Sequence, residues 1–256
     1  MLALVDSDIL LYEVGFTTED KDEAVAFARM DERIHAILDA VSRFTGGKED
    51  NYFLPEYQCY LSDSKENNFR YKIDTTYKGN RTQPKPRHYE VLKEYLIVEH
   101  GAKIAYGMEA DDALGIAQNK EWDNSPTTVI CSIDKDLDQI PGYHYSWPIN
   151  RSGNEIRPEK FYLTSPDEGI LFFWRQMLIG DTADNIKGIA GIGKVGAERL
   201  LDSSMFEKDM LEIVREKYED QYGIEEGNQK MLANGKLLYI KRKEDYEWVI
   251  PVYGNY

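Results

Sequence analysis

The sequence has few cysteines and no long apolar run. Two cysteines occur among 256 residues, Cys59 and Cys131, and both lie in apolar segments, where a free thiol is typical of a core position. A disulfide-dependent fold is therefore not expected, and a reducing compartment is. The longest apolar runs, such as residues 169–173, are too short to span a bilayer. Residues 2–5 lead directly into Asp6, with no signal-peptide pattern, so we expect a soluble cytoplasmic protein without a membrane partner.

Basic residues are also in deficit. The chain has 31 Lys and Arg against 46 Asp and Glu, for a formal net charge of -15, whereas a DNA-binding protein is usually basic. The acids are unevenly spread, however. Five short clusters contain Asp6, Asp8, Asp63, Glu109, Asp111, Asp112, Asp134, Asp136, Asp181 and Asp184. Carboxylates crowded in this way repel each other unless cations lie among them, so the pattern predicts a site for two or more Mg²⁺ or Mn²⁺ ions.

Apolar patterning predicts an α/β fold. The expected strands cover residues 2–5, 57–61, 102–106 and 127–133, and the expected helices cover residues 22–44, 86–98 and 109–119. This alternation is typical of a mostly parallel sheet with flanking helices, in which ligands bind beyond the carboxyl ends of the strands. Asp6, Asp63 and Asp134 follow such ends. We expect a metal-binding α/β core over residues 1–165 and a helical region over residues 166–256.

Each cluster has a simpler explanation. Asp6 or Asp134 could be a turn residue after a strand, acids are common in the first turn of a helix, and Asp181 or Asp184 could cap one. These explanations do not account for five clusters at one predicted edge. Known nucleotide-binding and calcium-binding motifs also fit the sequence poorly. Val195 replaces the P-loop Ser or Thr after Lys194, the pattern GIGKVG at 191–196 does not follow a strand, and Gln139 replaces the glycine of an EF-hand loop.

A glycine-rich hairpin follows the last acidic cluster. Gly188, Gly191 and Gly193 allow backbone N–H groups to approach a phosphate, and the helix expected from Lys194 directs its positive end there. A second stretch combines Arg70, Lys72, Arg81, Lys85 and Arg87 with Tyr71 and Tyr77, which favours binding of phosphates and end bases. Contacts of this kind are independent of base sequence.

Five motifs in order resemble those of the flap endonuclease and 5′-to-3′ exonuclease superfamily, and most of all its small phage exonucleases. They are VDSD at 5–8, Phe69 and Arg70 leading to YKGNR at 77–81, EADD at 109–112, SIDKD at 132–136, and GDTADNIKGIAGIG at 180–193. The resemblance implies a PIN-like core, a helix-three-turn-helix (helix-hairpin-helix) DNA clamp and a role in phage-type replication, recombination or breakdown of host DNA. For a phage protein, the expected compartment is the host cytoplasm.

The resemblance also assigns individual residues. It implies nine metal ligands, namely Asp6, Asp63, Glu109, Asp111, Asp112, Asp134, Asp136, Asp181 and Asp184, whereas Asp8 and Asp138 have no firm counterpart. Lys78 matches the catalytic lysine of the family, and Arg81 matches an arginine near the scissile phosphate. The expected DNA contacts are Arg70, Tyr77, Gly188, Gly191, Gly193 and Lys194, with K⁺ as a further candidate ion at the hairpin.

The segment between Lys78 and Glu109 has room for essentially one helix, so the family's arch over a single strand should be short or open. We therefore predict a monomeric, Mg²⁺-dependent 5′-to-3′ exonuclease that acts on duplex DNA at 5′ ends and nicks and releases short 5′-phosphorylated products. The nearest alternative is a 5′ flap endonuclease or RNase H, with flapped DNA or an RNA/DNA hybrid as substrate. A toprim-type enzyme would leave Asp6, Asp181 and Asp184 unused, and a non-catalytic module would use the hairpin alone.

Overall fold

The computed structural model describes residues 1–46, 54–122, 127–151 and 154–253. Within these ranges, six strands form a central sheet, and a short hairpin projects beyond it. The strands in chain order are β1 (Leu2–Asp6), β2 (Tyr57–Ser62), β3 (Lys103–Ala105), β4 (Thr128–Cys131), β5 (Gly142–Ser146), the hairpin strands β6 (Ile149–Arg151) and β7 (Asn154–Arg157), and β8 (Lys160–Thr164). The sheet order is β3-β2-β1-β4-β5-β8, and all neighbours are parallel except β5 and β8.

Helices flank this sheet. In chain order they are α1 (Ser7–Thr17), α2 (Glu23–Phe44), α3 (Phe69–Ile73), α4 (Tyr89–Glu99) and α5 (Ala110–Trp122), with a 3₁₀ helix at Lys135–Gln139. The predicted helices and strands of this half are confirmed with shifts of a few residues at their ends. The central strands β1 and β4 are buried along almost their whole length, as is typical of parallel strands with helices on both faces of the sheet, and such apolar runs are readily identified in a sequence.

The strand order explains where a ligand would bind. The chain runs outward from β1 to β2 and β3 and then returns to β4 on the other side of β1. Such a reversal opens a crevice beyond the carboxyl ends of the two diverging strands. Asp6 ends β1, and Asp134 follows β4 by three residues. The topology therefore brings these two acids, far apart in sequence, to one crevice.

The second half of the chain is mainly helical. It contains α6 (Pro166–Ile179), a two-stranded ribbon of β9 (Gly180–Asp181) and β10 (Ile186–Lys187), and then α7 (Lys194–Leu200), α8 (Glu207–Tyr222) and α9 (Ile224–Leu238). The predicted helical region is thus confirmed, but the expectation that helix extends almost to the terminus is wrong. Residues 239–253 form no helix.

Two apolar clusters account for most of the core. One joins α1, α2 and α4 to the sheet, and the other packs α6 to α9 together with Trp248. The non-helical C-terminal segment joins the halves, because Ile240 is buried beside Leu4 and Leu114 in a third cluster.

The predicted domain boundary near residue 165 stays a prediction. Among the described residues, no helix is both long enough and apolar enough to cross a membrane.

Candidate active site

Buried carboxylates gather at the crevice between β1 and β4. Asp6 is 2% exposed, and its Oδ2 accepts a hydrogen bond of 2.7 Å from the hydroxyl of Ser132. The same hydroxyl accepts from the backbone N–H of Asp134 at 2.9 Å. Asp8, in the first turn of α1, accepts from the N–H of Ser62 at the end of β2. The ends of β1, β2 and β4 are therefore connected through acidic side chains.

These carboxylates strongly disfavour one another's negative charge. Burial, with Asp8 and Asp134 nearby, raises the pKa of Asp6 from its ordinary 3.8 to about 7. Burial and then the charge of Asp6 raise the pKa of Asp111 well above its usual range. The pKa values of Asp8 and Asp134 are also raised, mainly by burial. A cluster of buried oxygen donors with too little positive charge among them suits a hard divalent cation.

A second acidic group lies toward the ribbon. Burial and the charges of Asp134 and Asp181 raise the pKa of Asp136 to about 8, and Gln176 on α6 donates to its Oδ1 at 3.1 Å. Asp181, at the end of β9, accepts from the backbone N–H groups of Ala183 and Asp184 at 2.7 and 3.3 Å. Asp134 lies between the two groups, since it raises the pKa values of both Asp6 and Asp136.

Lys78 enters this acidic region from the loop before α4. Its Nζ lies 2.5 Å from Glu109 Oε1 and 3.7 Å from Asp184 Oδ2. Burial alone would raise the pKa of Glu109, but the neighbouring Lys78 and Arg70 lower it to about 2. Arg81 Nη2 lies 2.5 Å from Asp184 Oδ1, with the arginine side chain 56% exposed. The structure thus brings together Lys78, Arg81, Glu109 and Asp184, as the sequence predicts.

Asp112 has a different role from the predicted one. It is fully buried, and its Oδ2 and Oδ1 accept from the guanidinium of Arg70 at 2.5 and 3.0 Å. The backbone N–H groups of Glu109 and Lys241 donate to the same two oxygens. Because each oxygen already accepts two hydrogen bonds, Asp112 holds Arg70 rather than an ion. We revise its assignment as a metal ligand accordingly.

Two predicted DNA contacts need the same correction. Arg70 is 2% exposed and also donates to the carbonyls of Leu237 and Tyr239, so its charge joins α3 and α5 to the end of α9. Tyr77 is 2% exposed, and its hydroxyl, which has one hydrogen to donate, lies within hydrogen-bond distance of carboxylate oxygens of both Glu109 and Asp184, at 3.0 and 2.9 Å. Neither side chain faces a DNA surface. Both support the acidic region from within.

Asp63, in the loop after β2, lies at the margin of the acidic region. Its oxygens accept from the N–H groups of Ser64 and Gly107 at 2.7 Å each and from the Asn67 amide at 3.2 Å. The N–H of Gly107 is the main cause of its lowered pKa. Asp63 therefore fastens the loop after β2 to the loop after β3, and its role as a metal ligand stays a prediction.

The described residues contain no preformed metal-ion site made of three or more His, Cys, Asp or Glu side chains. Part of the reason is local. Lys78 pairs with both Glu109 and Asp184, and Arg81 pairs with Asp184, so two candidate ligands face cations of the protein itself. Those acids must exchange partners before they can hold an ion.

Sequence reasoning missed three contributors. Asp8 was set aside although VDSD places it two residues after Asp6, and the structure turns it toward the same acids. The hydrogen bonds of Ser132 and Gln176 to Asp6 and Asp136 appear only in the structure; the motif SIDKD contains Ser132 but does not indicate its partner, and no motif contains Gln176. Asp138, also set aside, accepts from the hydroxyl of Tyr162 at 2.6 Å.

The glycine-rich segment lies between β10 and α7. A side chain at Gly188 would collide with the backbone of Leu178 and Ile179, whereas nothing lies within 4 Å of the Cβ position of Gly191 or Gly193. Gly188 is therefore required for packing, and its contact with DNA stays a prediction. Gly191, Gly193 and Lys194 are exposed. Their contact with DNA and the DNA clamp itself stay predictions.

Comparison with known proteins gives a consistent picture, although no family model matches the chain. A 5′-3′ exonuclease of Buchnera aphidicola subsp. Schizaphis graminum is 34% identical over 205 residues, 75% of this chain and 66% of that protein. A 5′-3′ exonuclease of Mycoplasmopsis pulmonis is 28% identical over 198 residues, 73% of this chain and 64% of the relative. DNA polymerase I of Bacillus caldotenax is 30% identical over 210 residues, which are 75% of this chain.

The chain spans just under two thirds of the exonuclease from Mycoplasmopsis pulmonis and 23% of the Bacillus caldotenax polymerase. Among solved structures, T5 5′-exonuclease with bound divalent metal ions (zinc) has a TM-score of 0.58 at 17% identity. That match covers 93% of this chain and 88% of the T5 protein. The fold is therefore the PIN-like fold of a 5′-exonuclease. The chain belongs to the superfamily of flap endonucleases and 5′-3′ exonucleases.

Proposed function

We propose that this chain is a metal-dependent nuclease that hydrolyses phosphodiester bonds from the 5′ ends of duplex DNA. One observation carries the proposal. Asp6 is buried, and Asp111 and Asp134 are half-buried. Asp134 raises the pKa of both Asp6 and Asp111, Asp6 also raises that of Asp111, and Lys78 enters the same region at Glu109. Uncompensated carboxylates beside a half-buried cation match the needs of phosphodiester hydrolysis, which requires bound metal ions and charge stabilisation of the phosphate.

The donor set fits Mg²⁺, or Mn²⁺ in its place, because every candidate ligand is a carboxylate oxygen. Asp6, Asp8, Asp111 and Asp134 would hold one ion, and Asp136 and Asp181 would contribute to a second. Bound there, two ions would activate a water molecule and stabilise negative charge on the phosphate. K⁺ at the exposed glycines after β10 is a further proposal. We also propose that the protein acts as a monomer.

Lys78 is the proposed catalytic cation of the chain itself. Its ammonium group is held by Glu109 and Asp184, and their charges raise its pKa against the opposing effect of burial. It therefore stays protonated at neutral pH and can donate to a phosphate oxygen once Glu109 turns to an ion. A compact ammonium group suits a phosphate whose negative charge grows during reaction. The half-exposed Arg81 would bind a neighbouring phosphate.

The segment after Lys78 favours exonuclease activity over flap cleavage. Residues 79–88 form no helix, and α4 is the single helix between Lys78 and β3. One helix can steer a frayed end but provides little to enclose a long single strand. We therefore propose stepwise release of short 5′-phosphorylated products from ends and nicks, with 5′ flap cleavage or RNase H activity as the second candidate.

The decisive experiment compares substrates in one assay. The protein is incubated with Mg²⁺ and end-labelled blunt, nicked, flapped or RNA/DNA duplexes, and the earliest products are sized. Short 5′ products from blunt ends support the proposal. Faster release of an intact flap, or selective cutting of the hybrid, would favour the second candidate, and DNA binding without metal-stimulated cleavage would indicate a non-catalytic module. If about six or more phosphates are contacted, raising salt from about 50 to 200 mM should lower affinity by about a thousandfold or more.

A further inference from the structure

The turn that carries Lys78, residues 76–81, is bound along its length to the loop between β9 and β10, residues 182–185. The N–H of Lys78 donates to the carbonyl of Asp184 at 2.9 Å. The amide of Asn80 donates to the carbonyl of Thr182 at 2.6 Å, and the amide of Asn185 donates to the carbonyl of Thr76 at 2.9 Å. Each segment therefore contributes one asparagine that binds the backbone of the other.

The backbone at this junction is unusual. Lys78 and Asn185 have φ values of 53° and 61° and are the two non-glycine residues with positive φ in the described part of the chain. Asparagine tolerates this left-handed conformation, but a lysine there is disfavoured and persists only where its surroundings determine it. At Lys78 those surroundings include the opposing loop, because that loop accepts the N–H of Lys78 itself.

We propose that Asn80 and Asn185 are positioning residues that hold the backbone of Lys78 so that its ammonium group meets the scissile phosphate. The inference rests on the proposed function. It concerns two side chains that belong neither to the acidic cluster nor to the cations that face it, and that act on the reaction through Lys78.

The kind of hydrogen bond sets these asparagines apart from their neighbours. Tyr77 and Arg81 bind the carboxylate of Asp184, which must change partners when an ion or phosphate arrives. The asparagine amides bind carbonyl oxygens, which stay neutral throughout the reaction. They can therefore keep the turn in place while the charges around Lys78 rearrange. The loop that they hold also begins directly after Asp181, so the same bonds keep a fixed relation between Lys78 and the second acidic group.

The test uses Asn80→Ala and Asn185→Gly, alone and together. Glycine at 185 keeps the left-handed backbone without strain and removes the side-chain amide that binds Thr76. Asn228→Ala is the matched control, because Asn228 also donates to a backbone carbonyl, that of Ile224 at 2.7 Å, but lies on α9. Single-turnover cleavage of a 5′-labelled blunt duplex is measured in saturating Mg²⁺, DNA affinity is measured in Ca²⁺, and thermal unfolding is recorded. Each asparagine variant is then repeated in a Lys78→Ala background.

We expect each single variant to lose about tenfold in rate, since a small misplacement of a catalytic group has effects of this size. DNA affinity and the Mg²⁺ concentration for half-maximal rate should change by less than about twofold, and the asparagine changes should have little further effect once Lys78 is alanine. An undiminished rate would overturn the proposal. So would an equal loss in the Lys78→Ala background, or a loss matched by Asn228→Ala. If the wild-type protein cleaves no substrate, the proposed function fails instead.

Discussion

The neighbouring acids Asp111 and Asp112 should respond in opposite ways to the same substitution. Asp112 is paired with Arg70 inside the protein, with exposed side-chain fractions of 0% and 3%. Asp112→Asn removes the charge that balances Arg70 and preserves side-chain volume. Among the described residues no cation forms an ion pair with Asp111, and burial and neighbouring carboxylates raise its pKa. Asp111→Asn therefore removes a charge that the fold disfavours.

The magnitude follows from burial. Removing one partner of a buried ion pair costs about 3–5 kcal/mol because the remaining charge is left uncompensated. For a chain of this size, 1 kcal/mol shifts the melting temperature by about 2–4 °C, so Asp112→Asn should lower it by about 10 °C. Arg70 keeps the carbonyls of Leu237 and Tyr239, which places the cost toward the lower end. Asp111→Asn should leave the melting temperature unchanged or raise it.

Thermal unfolding in chelator measures the first half of this prediction, and metal-dependent cleavage well below the melting temperature measures the second. The Asp112→Asn variant should cleave at a rate within about tenfold of wild type. The Asp111→Asn variant should cleave far more slowly, because losing a metal ligand should raise the activation free energy of metal-dependent cleavage by several kcal/mol. The double variant Arg70→Met with Asp112→Leu should recover part of the lost stability. If Asp112→Asn abolished turnover at an unchanged melting temperature, Asp112 would be a metal ligand and the revision would be wrong.

Three further predictions address the charges of the site. Asp134→Asn or Asp136→Asn should abolish cleavage and leave DNA binding in Ca²⁺ nearly unchanged, and turnover within about tenfold of wild type would contradict the proposed ion site. Lys78→Ala should slow single-turnover cleavage by at least about a hundredfold with little change in DNA affinity; the reverse pattern would make Lys78 a phosphate anchor only. Metal-free protein should lose stability as pH rises from about 4 to 8, because folded Asp6 and Asp136, with pKa values of about 7 and about 8, retain protons that the unfolded chain releases near 3.8. Melting temperatures in chelator should fall across this range and recover with Mg²⁺, and a flat profile would contradict the raised pKa values.

The parallel sheet and its acidic edge were predictable because they depend on local patterns. A buried apolar strand that ends in an acid, as at Asp6, indicates both the strand and the direction of the side chain after it. The single helix after Lys78 followed from segment length alone. Residues 239–253 were not predictable in the same way. Their position depends on tertiary contacts that no local pattern reveals, such as the packing of Ile240 beside Leu4 and Leu114 and the hydrogen bond from Arg70 to the carbonyl of Tyr239.

The clustering of the acids at one edge of the sheet was predictable, but the role of each acid was less so. Sequence identifies a carboxylate, but whether it holds an ion or an internal cation depends on what the fold places opposite. Asp112 is paired with Arg70 from α3, whereas Asp8 accepts the N–H of Ser62 and forms no ion pair among the described residues, although the charge of Lys78 acts on it. Arg70 and Tyr77 show the converse, because a basic and aromatic stretch that suits DNA supplies buried partners instead.

Helix geometry separates Asp111 from Asp112. Successive residues of an α-helix point about 100° apart, so two adjacent acids at the start of α5 cannot face the same surroundings. One joins the crevice with Asp6 and Asp134, and the other turns toward Arg70 and the N–H of Lys241. The motif EADD thus supplies an uncompensated charge for an ion and a compensated charge for the fold within one turn. Arg70 in turn is held by the carbonyls that end α9, so the C-terminal region is coupled through Asp112 to the helix that presents Asp111.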